Sequence, residues 1–587
     1  MSWRMGVLCV VGLVIGGPGA ARAADYYVAT AGDDTTGDGS VGAPWATIQH
    51  AANSIPTAGG DTIVVADGIY EGSTYLGHGF DERIVIRAEN PYGAVLTNVA
   101  GGMEALRIYV NGSANITVEG FEITNAHQSY DCPNGRESYY LIHIQDASDV
   151  TIRDNIIHGN NAPGTCNEVI KINRGNDVYF RNVVIQGNVI YDPANAGGSD
   201  LIDSVRPGEL DILDNIFWGN PSQDGSQSFI TLKRQAPVIG TPRTPRYRIR
   251  RNVFLNWGGA PDQAFIQLGE DGTAEPEIND CEIENNLFLG NSTAPIVGAM
   301  QLKGPRQVWV RHNTVVGDLP GSSFGFRVGT EGDNPTVQDL EVTGNIFSDP
   351  LGSMGRFWNG YGDVDMTTVT LSGNLFWNGG NPLSTDGDLL PSEDPLAVVE
   401  DPGLDADQSA LVLPRWDGPS GTFESGTTTI REEFLRLVAT YGALPAASPA
   451  IDAAQEPAPL DDIRGLARDD AADLGAYEHG AEDPAPDGGV SDGGVSAGDA
   501  APGSDAGTPP TTDDGGCGCR TTEGAALPPL LLALLALLTL LTLLHRSHVR
   551  GWARFSTIWA AGSSTSARSA GSPGGGGGSE VSREATD

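Results

Sequence analysis

Asp149–Gly159 reads DVTIRDNIIHG. Apolar Val150 and Ile152 stand five and three places before Asn155, and Ile157 stands two after it. The pattern returns as ELDILDNIFWG around Asn215, YRIRRNVFLNW around Asn252, CEIENNLFLGN around Asn286, VWVRHNTVVGD around Asn313, LEVTGNIFSDP around Asn345 and VTLSGNLFWNG around Asn374. Asn188 belongs to the series, and Phe121 fills the asparagine position in the earliest copy. Successive copies lie 27 to 37 residues apart. A unit this short cannot bury its own apolar face, so the period means stacked repeats rather than one wound core.

Within each copy, the alternation before the asparagine predicts a short strand, the asparagine a tight bend, and the apolar pair after it a second strand. A third strand falls between copies: LIHIQD from Leu141, VIKINR from Val169, LIDSVR from Leu201, FITLKR from Phe229, FIQLGE from Phe265, AMQLKG from Ala299 and GFRVGT from Gly325. Three short parallel strands per turn make a right-handed parallel β-helix, all-β, of about ten coils. Stacked asparagines are expected to hydrogen-bond along the axis. Phe217, Phe254, Phe288, Phe347 and Phe376, each two places after an asparagine, are expected to fill the core, and Cys281, at the repeat position of Val150 and Val308, to do the same.

The ends are of other kinds. Residues 1–23 combine Arg4, an apolar run from Val7 to Ile15 and Ala21-Arg22-Ala23, the layout of a cleaved secretory signal peptide. Residues 24–380 hold the β-helix with its N-terminal cap, where a helix near Ile48–Ile55 closes the open end of the stack. Asp33, Asp34 and Asp38 lack an EF-hand's terminal glutamate and read as a turn. Residues 381–480 form a C-terminal capping region. Its segment TIREEFLRLVATY, Thr429–Tyr441, has a Thr429/Glu432 capping box and is expected to cover the far end of the stack. Residues 481–516 are an acidic disordered linker. Residues 517–550 bring CGCR and the 20-residue apolar run Ala525–Leu544, followed by Arg546 and Arg550, a pattern for a bilayer span with that side in the cytoplasm. Residues 551–587 form a disordered tail.

A net charge of −41 argues against general nucleic-acid binding, which needs a positive surface. Export into an oxidising compartment makes a Cys132–Cys166 disulfide an expectation. Placement on the cell envelope or outer surface, tethered or released through the C-terminal segment, follows from the two ends. The chain is expected to be a monomer.

Three features together resemble the secreted right-handed β-helix proteins of the pectin-lyase-like class: YYVATAGDD...APWATIQHA...GDTIVVADGIY, the asparagine-centred coils, and the closing SPAID...DIRG..R...DLGAYE with Asp473, Gly475, Tyr477 and Glu478. The resemblance covers about Asp25 to Gly480. It implies the fold, while the class spans polysaccharide lyases, glycoside hydrolases, epimerases and members without an assigned reaction. The ending from Cys517 and Cys519 resembles myxobacterial C-terminal sorting signals, although this chain continues past the point where those stop.

In the third strands Ile142, Ile170, Ile202, Ile230, Ile266, Met300 and Phe326 are expected to point inward, so the next residue points out. That gives an outward file of His143, Lys171, Asp203, Thr231, Gln267, Gln301 and Arg327, with Arg107 one coil earlier. Two places on, Gln145, Asn173, Val205, Lys233, Gly269 and Lys303 form a second file, and Arg174, Arg206 and Arg234 stand at the edge. Cations so gathered suit an acidic, uronate-containing polysaccharide. In lyases of the class, the resemblance implies β-elimination, in which a base removes the proton α to the uronate carboxylate. A lysine flanked by arginines and lowered in pKa serves as that base: Lys171 first, Lys233 second. His143 is the acid, and Arg174 and Arg206 stabilise charge. Asn173, Arg234, Gln267, Lys303 and Arg327 bind substrate. Asp203, with Asp200, is a calcium ligand or an orienting group. Against an enzyme, the chain has neither the Asn-Thr-Asp or Asp-Asp motif of polygalacturonases nor the Asp-Pro-His-Glu motif of mannuronate epimerases. Of the glutamates that precede the catalytic lysine in related calcium-dependent lyases, only Glu168 stands near Lys171. A non-catalytic glycan-binding, adhesive or structural surface protein is the alternative.

Overall fold

The computed structural model describes residues 23–481 except 73, 99–103, 126–138, 161–166, 175–179, 193–199, 220–227, 235–245, 293, 320, 406, 408 and 456. All of these belong to the first of two compact units, Met1–Val490. The expected signal segment before Ala23, the linker after Ala481 and the Cys517–Leu544 anchor lie outside the described residues, as do the expected disulfide partners Cys132 and Cys166. Among the described residues, no helix is long and apolar enough to cross a membrane.

The strands stack in three parallel rows, completing a right-handed parallel β-helix. Row one runs from Thr74–Leu76 through Asn167–Asn173, Ile202–Val205, Ile230–Lys233, Ile266–Leu268, Met300–Lys303 and Phe326–Gly329 to Trp358–Tyr361. Row two runs from Asp25–Val28 to Val369–Ser372 and row three from Gly68–Glu71 to Leu375–Trp377. Two long strands, Glu104–Glu119 and Tyr139–Arg153, bend through rows one and two and join them into one 20-stranded sheet, while row three stands alone with 11 strands. Side chains alternate as the pleat requires, so Ile142, Ile170, Ile202, Ile230, Ile266 and Met300 all fill the tube without exposure.

The bend between rows two and three carries the asparagines. In every coil the preceding residue is left-handed: Gly120, Asp154, Gly187, Asp214, Arg251, Asn285, His312, Gly344 and Gly373. Glycine, aspartate and asparagine tolerate that region best, which accounts for most of the residues found there. Each asparagine is fully buried and donates its Nδ2 to the Oδ1 of the next: Asn155 to Asn188 at 3.2 Å, Asn188 to Asn215 at 3.0 Å, and on through Asn252, Asn286, Asn313 and Asn345 to Asn374. The backbone N–H of each bonds the same oxygen. A ladder whose members all donate in one direction must end on an acceptor, and it ends on Asp394, whose Oδ2 takes both the N–H and the Nδ2 of Asn374 at 2.9 and 2.8 Å. The phenylalanines stack below it, Phe217 on Phe254 and Phe254 on Phe288. Cys281 is a buried free thiol whose pKa burial pushes up.

Helix Ile48–Ser54 buries Ile48, Ala51 and Ala52 in the core at the N-terminal end. Helix Ile430–Tyr441 has the expected capping box but lies elsewhere than expected. It packs Ile430, Phe434, Leu437, Val438 and Tyr441 against the outward side chains of row three, among them Ile156, Ile216, Val253, Leu287 and Ile346. Row three is apolar on both faces, so its outer face needs a cover along its length; the far end of the stack is closed by Leu383, Leu389 and Ala397 instead. The closing motif clamps this cover to the coils. Asp461 accepts from Arg250 and Arg251, both at 2.7 Å, and Arg468 reaches Asn285 at 2.9 Å and Glu478 at 2.8 Å. Asp33 and Asp38 accept backbone N–H groups of their own turns, from Thr35 and Ser40, whereas Asp34 reaches across to the Ala46 N–H at 2.7 Å, just ahead of the helix.

Candidate functional site

Row one brings the predicted outward file into register. Arg107 pairs with His143, His143 with Lys171, Lys171 with Asp203, Asp203 with Thr231, and so through Gln267 and Gln301 to Arg327. At its centre is a cluster of lysines and carboxylates. Lys171 Nζ donates to Glu168 Oε1 at 3.1 Å and to Asp203 Oδ2, and Lys233 Nζ lies 3.5 Å from the same Asp203 oxygen while bonding Glu270. Lys171 also faces the ring of Tyr140, 5.8 Å from its centroid. One coil back, His143 contacts Glu104 Oε1 through Nδ1 at 3.3 Å and Asn173 Oδ1 through Nε2 at 3.1 Å.

This arrangement corrects two expectations. The face is not a bare cationic strip, because carboxylates from strand starts and loops pair its cations: Glu168 with Lys171, Glu270 with Lys233, Asp271 with Arg234, and Glu331 with Lys303 at 3.1 Å. The lysines are not lowered in pKa either. Burial pulls Lys171 down, but the Asp203 carboxylate and then Glu168 outweigh it and hold the ammonium well above the usual range. Lys233 is raised in the same way by Asp203 and Glu270 against burial. A base must give up its proton near the working pH, and these two do not.

The titratable group is a carboxyl. Burial, reinforced by Asp203 and only partly offset by Lys171, pushes Glu168 up to about 7. Asp200 is raised well above the carboxylate range, first by burial and then by Asp203 and Glu270. Four carboxyls around two ammoniums place more negative charge in a dry site than it favours, which raises the proton affinity of Glu168 and Asp200. Glu168 Oε2 and Asp203 Oδ1 are buried with no hydrogen-bond partner.

Asp203 and Asp200 do not fit a calcium ion. Calcium takes six to eight oxygens, whereas one Asp203 oxygen faces two ammoniums and Asp200 Oδ1 accepts the Ser228 N–H at 2.9 Å. Among the described residues no group of three acidic, histidine or cysteine side chains is placed to hold a metal. Gln267 is also corrected as a substrate contact: it is fully buried, like Thr231 and Gln301 beside it. The segment around Asp262 and Gln263 crosses there, and its Gln263 carbonyl binds the Val297 N–H at 3.0 Å. Arg174 is buried, whereas Arg206 and Arg234 are exposed at the row-one edge with left-handed backbones. Arg327 stacks over Tyr361, 4.6 Å from its centroid. The loop Thr124–Ser138, from which the sequence lets His127, Asp131 and Glu137 overhang the groove, lies from residue 126 outside the described residues. Sequence reasoning placed Glu168 near Lys171 without giving it a role and passed over Glu270. For Glu168 the signal was present: a carboxylate three residues before the file's lysine, on a strand about to be buried.

No protein-family model matches the sequence, and no curated protein sequence matches it. Among solved structures, the pectate lyase Pel9A is similar over 78% of this chain and 97% of its own, with 14% identity and a TM-score of 0.43. An alginate lyase from a Paenibacillus species aligns with 55% of this chain and 96% of its own, at 18% identity and a TM-score of 0.34. A rhamnogalacturonan lyase covers 70% and 98%, at 14% identity and 0.39. At these scores the likenesses add nothing to the strand pairing from which the fold is read.

Proposed function

We propose that this is an exported, envelope-displayed β-helix protein that binds an acidic polysaccharide across row one and cleaves it by β-elimination at the Glu168–Lys171–Asp203–Lys233 cluster. The observation that carries this reading is the row-one cluster: the Glu168 carboxyl, raised by its burial, stands 3.1 Å from the Lys171 ammonium, and Asp203 links Lys171 to Lys233. In that arrangement Lys171 and Lys233 meet the uronate carboxylate and the negative charge that grows on it as the α-proton leaves. Glu168 takes that proton. The electron pair forms the new C=C bond, the glycosidic C–O bond breaks, and His143, oriented by Glu104 and Asn173, protonates the departing oxygen. Asp203 positions both lysines. Arg174 and Arg206 balance charge, and Asn173, Arg234, Lys303 and Arg327 hold the rest of the chain.

A non-catalytic glycan-binding role is the second reading, favoured by the full burial of Thr231, Gln267 and Gln301 in the middle of the face. Incubation with alginate, pectate, chondroitin and hyaluronan, read by absorbance of the unsaturated product, separates the two. Absence of product on every polymer, with and without calcium, rules out the lyase. Retained binding in the same preparation then supports the second reading.

A further inference from the structure

Two coils before the lysines, row one carries a different surface. Arg107 stands directly above His143 in the file, and Tyr75 directly above Arg107. Tyr109 follows Arg107 by two residues, on the same face. The guanidinium lies near both rings, 6.0 Å from the centroid of Tyr75 and 5.6 Å from that of Tyr109. Tyr75 is one of the few large apolar side chains left exposed, at 37%. Its ring lies so close to Gly77 that a Cβ there would come within 2.6 Å of it, so the missing side chain makes room for the ring. Arg107 is only partly satisfied: Nη2 donates to Gln145 Oε1 at 2.7 Å, Glu104 is 3.8 Å from Nη1, and Nε has no hydrogen-bond partner.

Lys171, Lys233 and Arg234 on this face are neutralised at close range. Arg107 has its nearest carboxylate oxygen at 3.8 Å among the described residues and lies within 6.0 Å of two tyrosine rings. A guanidinium fork recognises a carboxylate in two parallel hydrogen bonds, and an exposed tyrosine face accepts the C–H face of a pyranose ring. Two coils separate Arg107 from Lys171, about 10 Å at the strand spacing of a sheet, comparable with roughly two pyranose units of an extended chain.

We infer that Tyr75, Arg107, Tyr109 and Gln145 form a distal glycan subsite that takes one uronate residue, with its ring on tyrosine and its carboxylate on Arg107, while the same chain reaches the lysine cluster. This rests on the acidic-glycan reading above and adds direction to it: the polymer runs along the helix axis on row one.

Calorimetric titration of the full-length protein with digalacturonate, hexagalacturonate and the methyl-esterified hexamer tests it, using Tyr75→Ala, Arg107→Gln and Tyr109→Ala. Each substitution is expected to weaken the hexamer about tenfold, the ~1.4 kcal/mol of one modest contact, with thermal stability unchanged. The dimer is expected to bind all variants alike at the lysine cluster, and the esterified hexamer to be insensitive to Arg107→Gln. Hexamer affinity equal to wild type in Tyr75→Ala and Arg107→Gln overturns the subsite alone. A wild-type protein that binds none of the three removes the acidic-glycan reading and the subsite with it.

Discussion

Removing one rung of the asparagine ladder should cost far more than its size suggests. The Asn252 side chain makes five hydrogen bonds: Oδ1 accepts from the N–H and the Nδ2 of Asn215, both at 3.0 Å, and Nδ2 donates to Ile212 O at 2.9 Å and to Arg250 O and Asn286 Oδ1 at 3.0 Å. Asn252→Ala leaves the Asn215 N–H without that acceptor and Ile212 O without that donor, in a site with no solvent exposure. At ~1–3 kcal/mol for each buried group left unpaired, and with some relief from no longer burying an amide, we expect a loss of about 3 to 5 kcal/mol. Asn252→Asp should be worse than alanine, because a carboxylate oxygen would then face Ile212 O and Asn286 Oδ1. Urea unfolding followed by the fluorescence of buried Trp218 and Trp257 measures the overall loss. Hydrogen exchange at the Asn215 N–H reads the local effect, which a stacked-repeat protein can show before it unfolds globally. A loss below about 1 kcal/mol with the Asn215 amide still protected would refute the idea that the ladder holds the coils together.

Glu168 gives a pH test: its folded value is about 7 against an ordinary 4.5, so the stability it contributes is complete below about 4.5 and lost as pH rises through about 7. Glu168→Gln should flatten that part of the stability profile and, if the elimination reading holds, abolish the rise in rate across the same range. Asp394→Asn should destabilise the C-terminal end by ~2 kcal/mol, since the carboxylate accepts from Gly373, Asn374 and Leu396 and an amide would turn one donor toward others; a shift in the urea midpoint checks it. Gly475→Ala would bring a Cβ within 2.6 Å of Ile346 and 2.7 Å of Thr314 at a φ of +83°, and should expose the closing segment to proteolysis around Asp461 while leaving the coils intact.

The coils were legible because their signal is repeated. Alternation around each asparagine sets strand register, and a one-residue slip would move every Ile and Phe of a strand to the wrong face. The in-register stack of His143, Lys171 and Asp203 therefore followed from spacing alone. What the lysines touch did not. Glu168 sits at the start of its strand, and Glu270 and Glu331 lie in loops that follow no period, so their approach is decided by three-dimensional closure. The reading of Lys171 as a lowered lysine failed because it weighed the flanking arginines and not the charge of Asp203, its neighbour in the file, and of Glu168. The position of Ile430–Tyr441 failed differently. Its amphipathic face was visible, but an end and a side of the stack make the same apolar demand. Only the double-sided apolar pattern of row three, as in Ile216-Phe217-Trp218, pointed to the side.

The ladder and the candidate site occupy different corners of each coil, and this separation explains how one chain keeps a strict repeat beside an irregular face. All the asparagine bonds lie at the bend between rows two and three. Differences in coil length are taken up on either side of row one, as in the long connection between Leu268 and Asn279 and the short one between Lys303 and Arg306. Loops of any length can therefore bring Glu270 or Glu331 over row one without disturbing an axial hydrogen bond, because loop-closure entropy grows only slowly with length. The same geometry constrains the site. A residue on row one is held at sheet spacing from its neighbours by strand pairing, so Lys171, Asp203 and Lys233 keep their order even when a substrate arrives. Their partners on loops are the groups free to move. On the proposed acidic-glycan reading, specificity would lie with Glu270, Glu331 and the tyrosine-flanked Arg107, and the repeated rungs would supply only the distance scale against which a polymer is measured.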